Sequence, residues 1–147
     1  MLDRLWSPGR LMSDEPATLF EHLDFLYTPS RDVAADTGYF AEVLGSRVVF
    51  AIEAMGTRVA ALEVAKGSPL VLLTDHLDGD RPILVYRVTS LAQTMEVLHS
   101  RGWPKQDTFE IPQGPCCSFH TPGGHRVAIY QLIRPEAAAH FEGRRDF

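Results

Sequence analysis

The sequence predicts an α+β fold in which two tandem βαβββ modules pack into a single domain. The order strand, helix, strand, strand, strand occurs twice along the 147 residues, with a repeat length of about 55 residues. The tripeptide Glu-Val-Leu occupies matching places, 42–44 and 96–98, near the ends of the two predicted helices. A chain of this length fits one domain with a substantial buried core. We therefore interpret the sequence as an internal duplication.

Module one is predicted over about residues 22–75. Leu23–Thr28 is apolar or aromatic apart from one acidic residue, which predicts a buried strand that ends at Pro29. A helix follows, with Ser30 or Asp32 as its N-cap, apolar residues near helical spacing and Gly45 as its stop. Three strands separated by short turns complete the module: Ser46–Ile52, Thr57–Val64 and Pro69–Thr74.

Module two is predicted over about residues 82–133, after the polar joint Asp78–Asp80. Ile83–Val88 is typical of a strand, and Ser90 caps a helix that ends at Gly102. The remaining strands are Thr108–Ile111, Pro115–His120 and Arg126–Ile133. The two modules are expected to form one domain over residues 22–134.

Both ends of the chain are expected to lie outside this domain. Residues 1–21 mix Ser, Pro, Gly and charges without periodicity, which predicts an N-terminal extension. We expect residues 1–20 to be dispensable for folding, because they do not fit the pattern of either repeat. Residues 135–147 are predicted to form a C-terminal helix, Glu136–Glu142, and a short tail.

Composition and charge exclude several classes of function. A formal charge of −5 and a pI near 5.6, with scattered Lys and Arg, exclude a nucleic-acid partner. No apolar run approaches the roughly 18–20 residues that span a bilayer, so no membrane segment is predicted. Cys116 and Cys117 are adjacent on a predicted strand and point to opposite faces, which disfavours a disulfide between them. Reduced thiols and the lack of an apolar secretory signal predict a cytoplasmic protein.

Three segments carry a resemblance to a known superfamily. Tyr39–Gly45 is similar to a helix of that superfamily, which carries an aromatic pair and ends in Leu-Gly. Tyr86–Leu91 is similar to the segment that joins a strand to a helix in the superfamily's second module. Thr121–Val127 is similar to its Asp-Pro-Asp-Gly-Asn-Arg-hydrophobic hairpin. Over about residues 22–133 the chain therefore resembles the vicinal-oxygen-chelate superfamily of glyoxalases, bleomycin-resistance proteins and extradiol dioxygenases. The resemblance implies a curved sheet around a small-molecule cleft, and a homodimer.

The resemblance also assigns positions for a metal ion. Metal-using members place His, Gln or Glu on the first and last strand of each module. By spacing, the matching residues here are apolar: Phe25, Val71, Ile83 and Ala128. His22 takes the first position only if three residues are inserted. Because a catalytic divalent ion needs about three protein ligands, we predict no metal ion and no other cofactor.

Histidine and cysteine residues elsewhere in the chain are candidates for metal binding or catalysis. His76 lies beside Asp75 and Asp78, but a solvated joint between the modules explains these residues better. Cys116 and His120 share one face of a predicted strand, where a thiolate and a base can pair. A buried, inert thiol is the more common arrangement. We therefore assign no catalytic residue.

Strand alternation predicts which residues line the cleft. Stepping by two from the former metal positions gives the following residues: Phe25, Tyr27, Val71, Leu73, Ile83, Val85, Arg87, Arg126, Ala128 and Tyr130. This lining is apolar and aromatic, with two guanidinium groups at its ends, and suits a flat or hydrophobic molecule that carries an anion. The aliphatic residues equally fit core packing, and Arg87 and Arg126 fit exposed strand ends with surface salt bridges slightly better than contact with a ligand.

The function favoured by these residues is binding of a small organic ligand, apolar and anionic, without a metal ion. One alternative is a metal-dependent enzyme, a glyoxalase-type lyase or a ring-cleaving dioxygenase, with an atypical ligand set around His22, His76 or His120. Another is a dimeric scaffold whose cleft is filled with side chains. Metal content separates the first two, and the presence of a cavity separates the third.

Overall fold

The computed structural model describes residues 18–147, which fold into one sheet and three helices. The elements, in chain order, are β1 (His22–Pro29), α1 (Val33–Glu42), β2 (Arg47–Ala54), β3 (Thr57–Glu63), β4 (Leu70–Thr74), β5 (Ile83–Val88), α2 (Leu91–Ser100), β6 (Phe109–Ile111), β7 (Gly114–His120), β8 (Arg126–Gln131) and α3 (Glu136–Phe141). None of these helices is long and apolar enough to cross a membrane.

The eight strands lie in the order β2-β3-β4-β1-β5-β8-β7-β6. The first strands of the two modules, β1 and β5, pair antiparallel at the centre of the sheet. Each is flanked by the last strand of its own module in parallel, β4 beside β1 and β8 beside β5. The two modules are thus related by a pseudo-twofold axis between β1 and β5. The predicted α+β fold of two tandem βαβββ modules is confirmed.

Helix caps follow the predicted chemistry. The Asp32 carboxylate accepts a hydrogen bond from the Ala35 amide at 3.0 Å, so Asp32 rather than Ser30 caps α1. Ser90 caps α2 by accepting from the Gln93 amide at 3.3 Å. Both side chains satisfy an amide that the first helical turn leaves without a backbone partner.

The C-terminal segment shows how strongly the sheet curves. The Arg134 amide donates to the Gln113 carbonyl at 2.9 Å, in the turn between β6 and β7, and the Gly143 amide donates to the Val49 carbonyl at 2.8 Å, at the β2 edge. A flat sheet would separate β7 from β2 by roughly 29 Å. The chain between Arg134 and Gly143, which includes α3, reaches only about 20 Å. The sheet is therefore curled into a half-barrel with a concave face.

The tail after α3 completes the domain. The Ala51 amide donates to the Arg144 carbonyl at 2.8 Å, and the Asp146 amide donates to the Ala51 carbonyl at 2.6 Å. These bonds cover the outer edge of β2, which would otherwise offer unpaired backbone groups to another chain. Phe147 packs against the core of module one. Residues 135–147, expected outside the domain, therefore contact it through backbone hydrogen bonds to β2 that no local sequence pattern indicates.

Two residues of the expected N-terminal extension also contact the domain. The Phe20 ring packs against Tyr86, with 5.3 Å between centroids. The Glu21 amide donates to the Arg87 carbonyl at 2.9 Å, and the Glu21 carboxylate accepts from the Thr89 hydroxyl at 2.7 Å. Phe20 and Glu21, expected in the extension, thus belong to the domain because they continue the pairing of β1 with β5. The rest of the predicted extension, residues 1–17, lies outside the described residues.

Three apolar clusters hold the sheet. On the convex face, α1 buries Val33 against Leu62 of module one, and α2 buries Leu91 against Ile129 of module two. The third cluster lies on the concave face and contains Val85, Cys116, Ala128 and Tyr130. The floor of the cleft is therefore itself a small core.

Candidate functional site

The strand register defines the concave floor. Phe25 pairs with Val85, and Val85 pairs with Ala128, so these three side chains form one row across β1, β5 and β8. The neighbouring row towards one end contains Tyr27, Ile83 and Arg126. The row towards the other end contains Arg87 and Tyr130. All predicted lining residues of β1, β5 and β8 lie on this face.

The predicted facing of the β4 residues is wrong. Val71 and Leu73 pack on the convex side, in the cluster that includes Val33 of α1. Leu70, opposite Phe25, and Leu72, opposite Tyr27, face the floor instead. A shift of one residue moves every side chain of a strand to the other face. The continuous apolar run of β4 offered no alternation from which this phase is predictable.

The pseudo-twofold axis identifies the residues at the superfamily's metal positions. The axis relates Phe25 of β1 to Ile83 of β5. Phe25 pairs with Leu70 of β4, as Ile83 pairs with Arg126 of β8. Leu72, two residues after Leu70, is therefore the counterpart of Ala128, two residues after Arg126. The four positions therefore carry Phe25, Leu72, Ile83 and Ala128, and none of these side chains has a donor atom. No cluster of three or more His, Cys, Asp or Glu suited to a metal ion occurs within residues 18–147. The residues at this place do not fit a metal ion.

A largely buried carboxylate lies at one end of the floor. The register of β1 against β5 shifts between Leu23 and Phe25, and this bulge turns Asp24 towards the concave side. Asp24 accepts hydrogen bonds from the Tyr130 hydroxyl and, at 2.7 Å, from His22 Nδ1. The Asp24 side chain is 15% exposed, and Tyr130 is 2% exposed. Burial, reinforced by the Asp24 carboxylate, raises the pKa of Tyr130, so its hydroxyl keeps its proton and donates.

Arg87 is the cation of this cluster. Its Nε lies 3.5 Å from Asp24 Oδ2, and its side chain is 35% exposed. The Nε atom is buried and has no hydrogen-bond partner among the described residues. The charge of Arg87 is therefore balanced by Asp24, although the geometry is that of an ion pair rather than of a hydrogen bond. Asp24 was not predicted from the sequence, where its only signal is one acidic residue inside an apolar strand.

The other end of the floor has a different set of polar groups. The Tyr27 hydroxyl is hydrogen-bonded to His76 Nε2, and burial raises the pKa of Tyr27. Arg126 lies beside Ile83, four positions before Arg87 on β5, which separates the two guanidinium-bearing positions by about 13 Å along the strands. Arg87 and Arg126 are thus at opposite ends of the floor, too far apart to hold one carboxylate together.

Cys116 does not have the properties of a nucleophile. Its side chain is buried on the floor, and burial raises the pKa of the thiol to about 12. His120 lies on the same face of β7 but is exposed, and it forms no hydrogen bond with Cys116. The pairing of Cys116 as thiolate with His120 as base is therefore not supported.

We expect both cysteines to resist dithiobis(nitrobenzoate) in the native protein and to react fully in denaturant. A pKa of about 12 lowers the thiolate fraction near pH 8 roughly a thousandfold relative to an ordinary thiol. Ser118→Cys is the matched control, because Ser118 is exposed on the same strand between Cys116 and His120. It should add one rapidly reacting thiol. Rapid native labelling of the unmodified chain would show that Cys116 or Cys117 is accessible and ionised.

Neither a protein-family model nor a curated protein sequence matches the chain. Solved structures do match. Methylmalonyl-CoA epimerase from Mycobacterium tuberculosis superposes with a TM-score of 0.66 at 19% identity, covering 86% of this chain and 97% of that one. A catechol 2,3-dioxygenase superposes with a TM-score of 0.61 at 19% identity, covering 78% of this chain and 42% of that one. A glyoxalase/bleomycin resistance protein/dioxygenase superfamily member from Vibrio splendidus 12B01 superposes with a TM-score of 0.54 at 16% identity. This match covers 71% of this chain and 94% of that one. Similarity at this level of identity establishes the fold.

Proposed function

Because the chain has the vicinal-oxygen-chelate fold, we propose that it binds a small organic molecule on its concave face without a metal ion. The observation that carries this proposal is the replacement of all four metal positions by hydrocarbon, at Phe25, Leu72, Ile83 and Ala128. Such a floor stabilises an apolar body by roughly 25 cal/mol for each Å² that it removes from water. The matching structures named for methylmalonyl-CoA and catechol support a small organic ligand.

The proposed ligand also carries an anion. Arg87 and Arg126 lie at opposite ends of the floor, and because Asp24 balances Arg87, Arg126 is the better candidate for the anion. A guanidinium group binds a carboxylate with two parallel hydrogen bonds. Phe25 and Tyr130, with 5.9 Å between ring centroids, add an aromatic surface between these ends. A flat molecule with one anionic group fits this distribution of apolar and charged side chains.

The alternatives receive less support. A metal-dependent lyase or dioxygenase would need donor atoms that Leu72 and Ala128 do not have. A scaffold with a filled cleft would bury its lining completely, whereas Phe25, Tyr27 and Ile83 are only half-buried. Two cavities of about 550 and 450 Å³ lie beside α3 and α2, away from this floor, so partial exposure of the floor is what argues against the scaffold. The cytoplasmic location and the homodimer also remain proposals, which rest on the family resemblance and on the reduced thiols of the chain.

Binding of two fluorescent dyes tests the proposal. We expect anilinonaphthalene sulfonate, apolar and anionic, to bind the full chain, and neutral N-phenylnaphthylamine to bind more weakly. Both should bind equally well after dialysis against EDTA. Leu72→Glu, which adds a charge to the floor, should weaken both dyes at least tenfold. Val43→Glu is the matched control, because Val43 is 64% exposed and lies on the segment after α1 rather than on the floor.

The outcomes separate the three functions. Loss of dye binding in EDTA, restored by a divalent metal ion, would replace this proposal by the metal-dependent alternative. Equal binding to Leu72→Glu and Val43→Glu would place the dyes elsewhere and overturn the assignment of the floor. Leu70→Gln, on the same face of β4, serves as the second floor variant if Leu72→Glu does not fold. Circular dichroism of each variant verifies folding.

A further inference from the structure

We propose that Arg81 and Arg126 form an oxyanion site at the joint between the two modules, where a carboxylate or phosphate group of the ligand binds. This inference rests on the proposed function for the apolar part of the ligand, but the anion site is testable by itself. The sequence predicted Arg126 as a residue for an anionic ligand but not Arg81, because Arg81 lies in an exposed polar segment that is typical of a solvated linker.

The two side chains lie where the linker between β4 and β5 meets the hairpin between β7 and β8. Arg81 Nη1 donates to the Gly123 carbonyl at 3.3 Å, which joins the linker between β4 and β5 to the hairpin between β7 and β8. Arg126 Nη1 donates to the Arg81 carbonyl at 3.4 Å. Each guanidinium is thus held by a backbone carbonyl and keeps most of its five N–H donors for a ligand.

Neither of these two arginines has an acidic partner at ion-pair distance. Within the described part of the chain, neither Arg81 nor Arg126 forms an ion pair with an acidic side chain, whereas Arg87 is paired with Asp24. Asp78 and Asp80 belong to the same linker as Arg81, but neither carboxylate lies within 4.0 Å of a guanidinium nitrogen. The guanidinium N–H groups of Arg81 and Arg126 that face no carboxylate can therefore donate to an oxyanion.

Two glycines lie in contact with the guanidinium groups of Arg81 and Arg126. Gly79 and Gly124 both have positive φ, +85° and +88°. A Cβ on Gly124 would lie 2.9 Å from Arg81 Nη1, and a Cβ on Gly79 would lie 3.2 Å from Arg126 Nη2. Glycine therefore allows each guanidinium to lie against a turn of the backbone. The positive φ by itself explains glycine at both turns, since the flexible end of an arginine could move away from a methyl group.

The position of the site defines the class of ligand. Arg126 is next to Ile83 at one end of the floor, and the neutral pair of Arg87 with Asp24 is at the other end, about 13 Å away. An anion is therefore favoured at the Arg81 end. The ligand that fits is elongated, with its apolar body over Phe25 and Ala128 and its terminal oxyanion between Arg81 and Arg126.

Titration with simple anions tests the site in the full chain. We expect inorganic phosphate or acetate, added at constant ionic strength, to cause saturable shifts of the Gly79 and Gly124 amide resonances at millimolar concentration. Arg81→Gln and Arg126→Gln should each weaken the anion at least tenfold. Arg101→Gln removes one positive charge from the exposed end of α2 and should leave the affinity unchanged. Saturation by phosphate alone would indicate a phosphorylated ligand, and saturation by acetate a carboxylate ligand.

Two results would overturn the proposal. One is the lack of saturable shifts at Gly79 and Gly124 with either anion; the other is loss of anion binding in Arg87→Gln with full binding in Arg81→Gln. Arg81 is exposed, so its variant is expected to fold, and Arg126→Lys keeps the charge if Arg126→Gln does not fold. Dye binding that depends on Leu72 but without anion binding would refute this site and leave the proposed function intact.

Discussion

Gly114→Ala is expected to lower the free energy of unfolding by about 3 kcal/mol or more. A Cβ at this position would lie 2.1 Å from the Gln131 carbonyl oxygen and 3.1 Å from Cγ1 of Ile133. The carbonyl has little freedom to move, because the Ile133 and Arg134 amides donate to the Gln113 carbonyl at 3.0 and 2.9 Å. The new methyl group must therefore separate the start of β7 from the end of β8.

Urea unfolding of the variant and a matched control measures this effect. Gly38→Ala is the control, since a Cβ at Gly38 of α1 meets no atom within 4 Å. Alanine should stabilise this helix by roughly 0.5–1 kcal/mol. The two substitutions add the same methyl group and should have opposite signs. A Gly114→Ala protein within 1 kcal/mol of the unmodified chain would show that the junction of β7 and β8 relaxes easily.

Gly114 also shows which part of the fold was predictable. The order of elements follows from local patterns, because capping residues, turn glycines and runs of apolar residues are contiguous in sequence. Ser90 and Gly102 mark the second helix in this way, and the structure places it at Leu91–Ser100. The close approach of Gly114 to Gln131 joins two strands across the sheet, and a single glycine at a strand end gives no sign of it.

The sheet face on which a side chain lies was predictable only where apolar and polar residues alternate along the strand or where a motif sets the phase. The hairpin Thr121–Val127 fixed the phase of β8, so Arg126, Ala128 and Tyr130 were placed on the correct face. In β4 the run LVLLT has no alternation, and Val71 was assigned to the wrong face. Asp24 was missed because a β-bulge, not a pattern, turns it inward, and its partner Tyr130 is 106 residues away. Long-range polar contacts of this kind leave no local trace.

Asp24→Ala is expected to destabilise the protein by about 3 kcal/mol, a value at the lower end for a broken buried ion pair. The substitution leaves the Tyr130 hydroxyl, 2% exposed, without its acceptor, which alone costs about 1–3 kcal/mol. It also leaves Arg87 without its counter-ion. Because the Arg87 side chain is 35% exposed, water compensates part of that loss, and the full penalty for a buried charge is not expected.

A double-mutant cycle separates the cluster into its contacts. Tyr130→Phe removes only the hydroxyl and should cost about 1 kcal/mol. His22→Ala removes a contact whose histidine is 53% exposed and should have little effect on unfolding. Asp24→Ala combined with Tyr130→Phe should be less destabilised than the sum of the two, by roughly 1 kcal/mol, because the double variant has no Tyr130 hydroxyl left without an acceptor. Additivity within about 0.3 kcal/mol would mean that the carboxylate and the hydroxyl are energetically independent. Asp24 would then act on Arg87 alone, as the charge that keeps this end of the floor neutral.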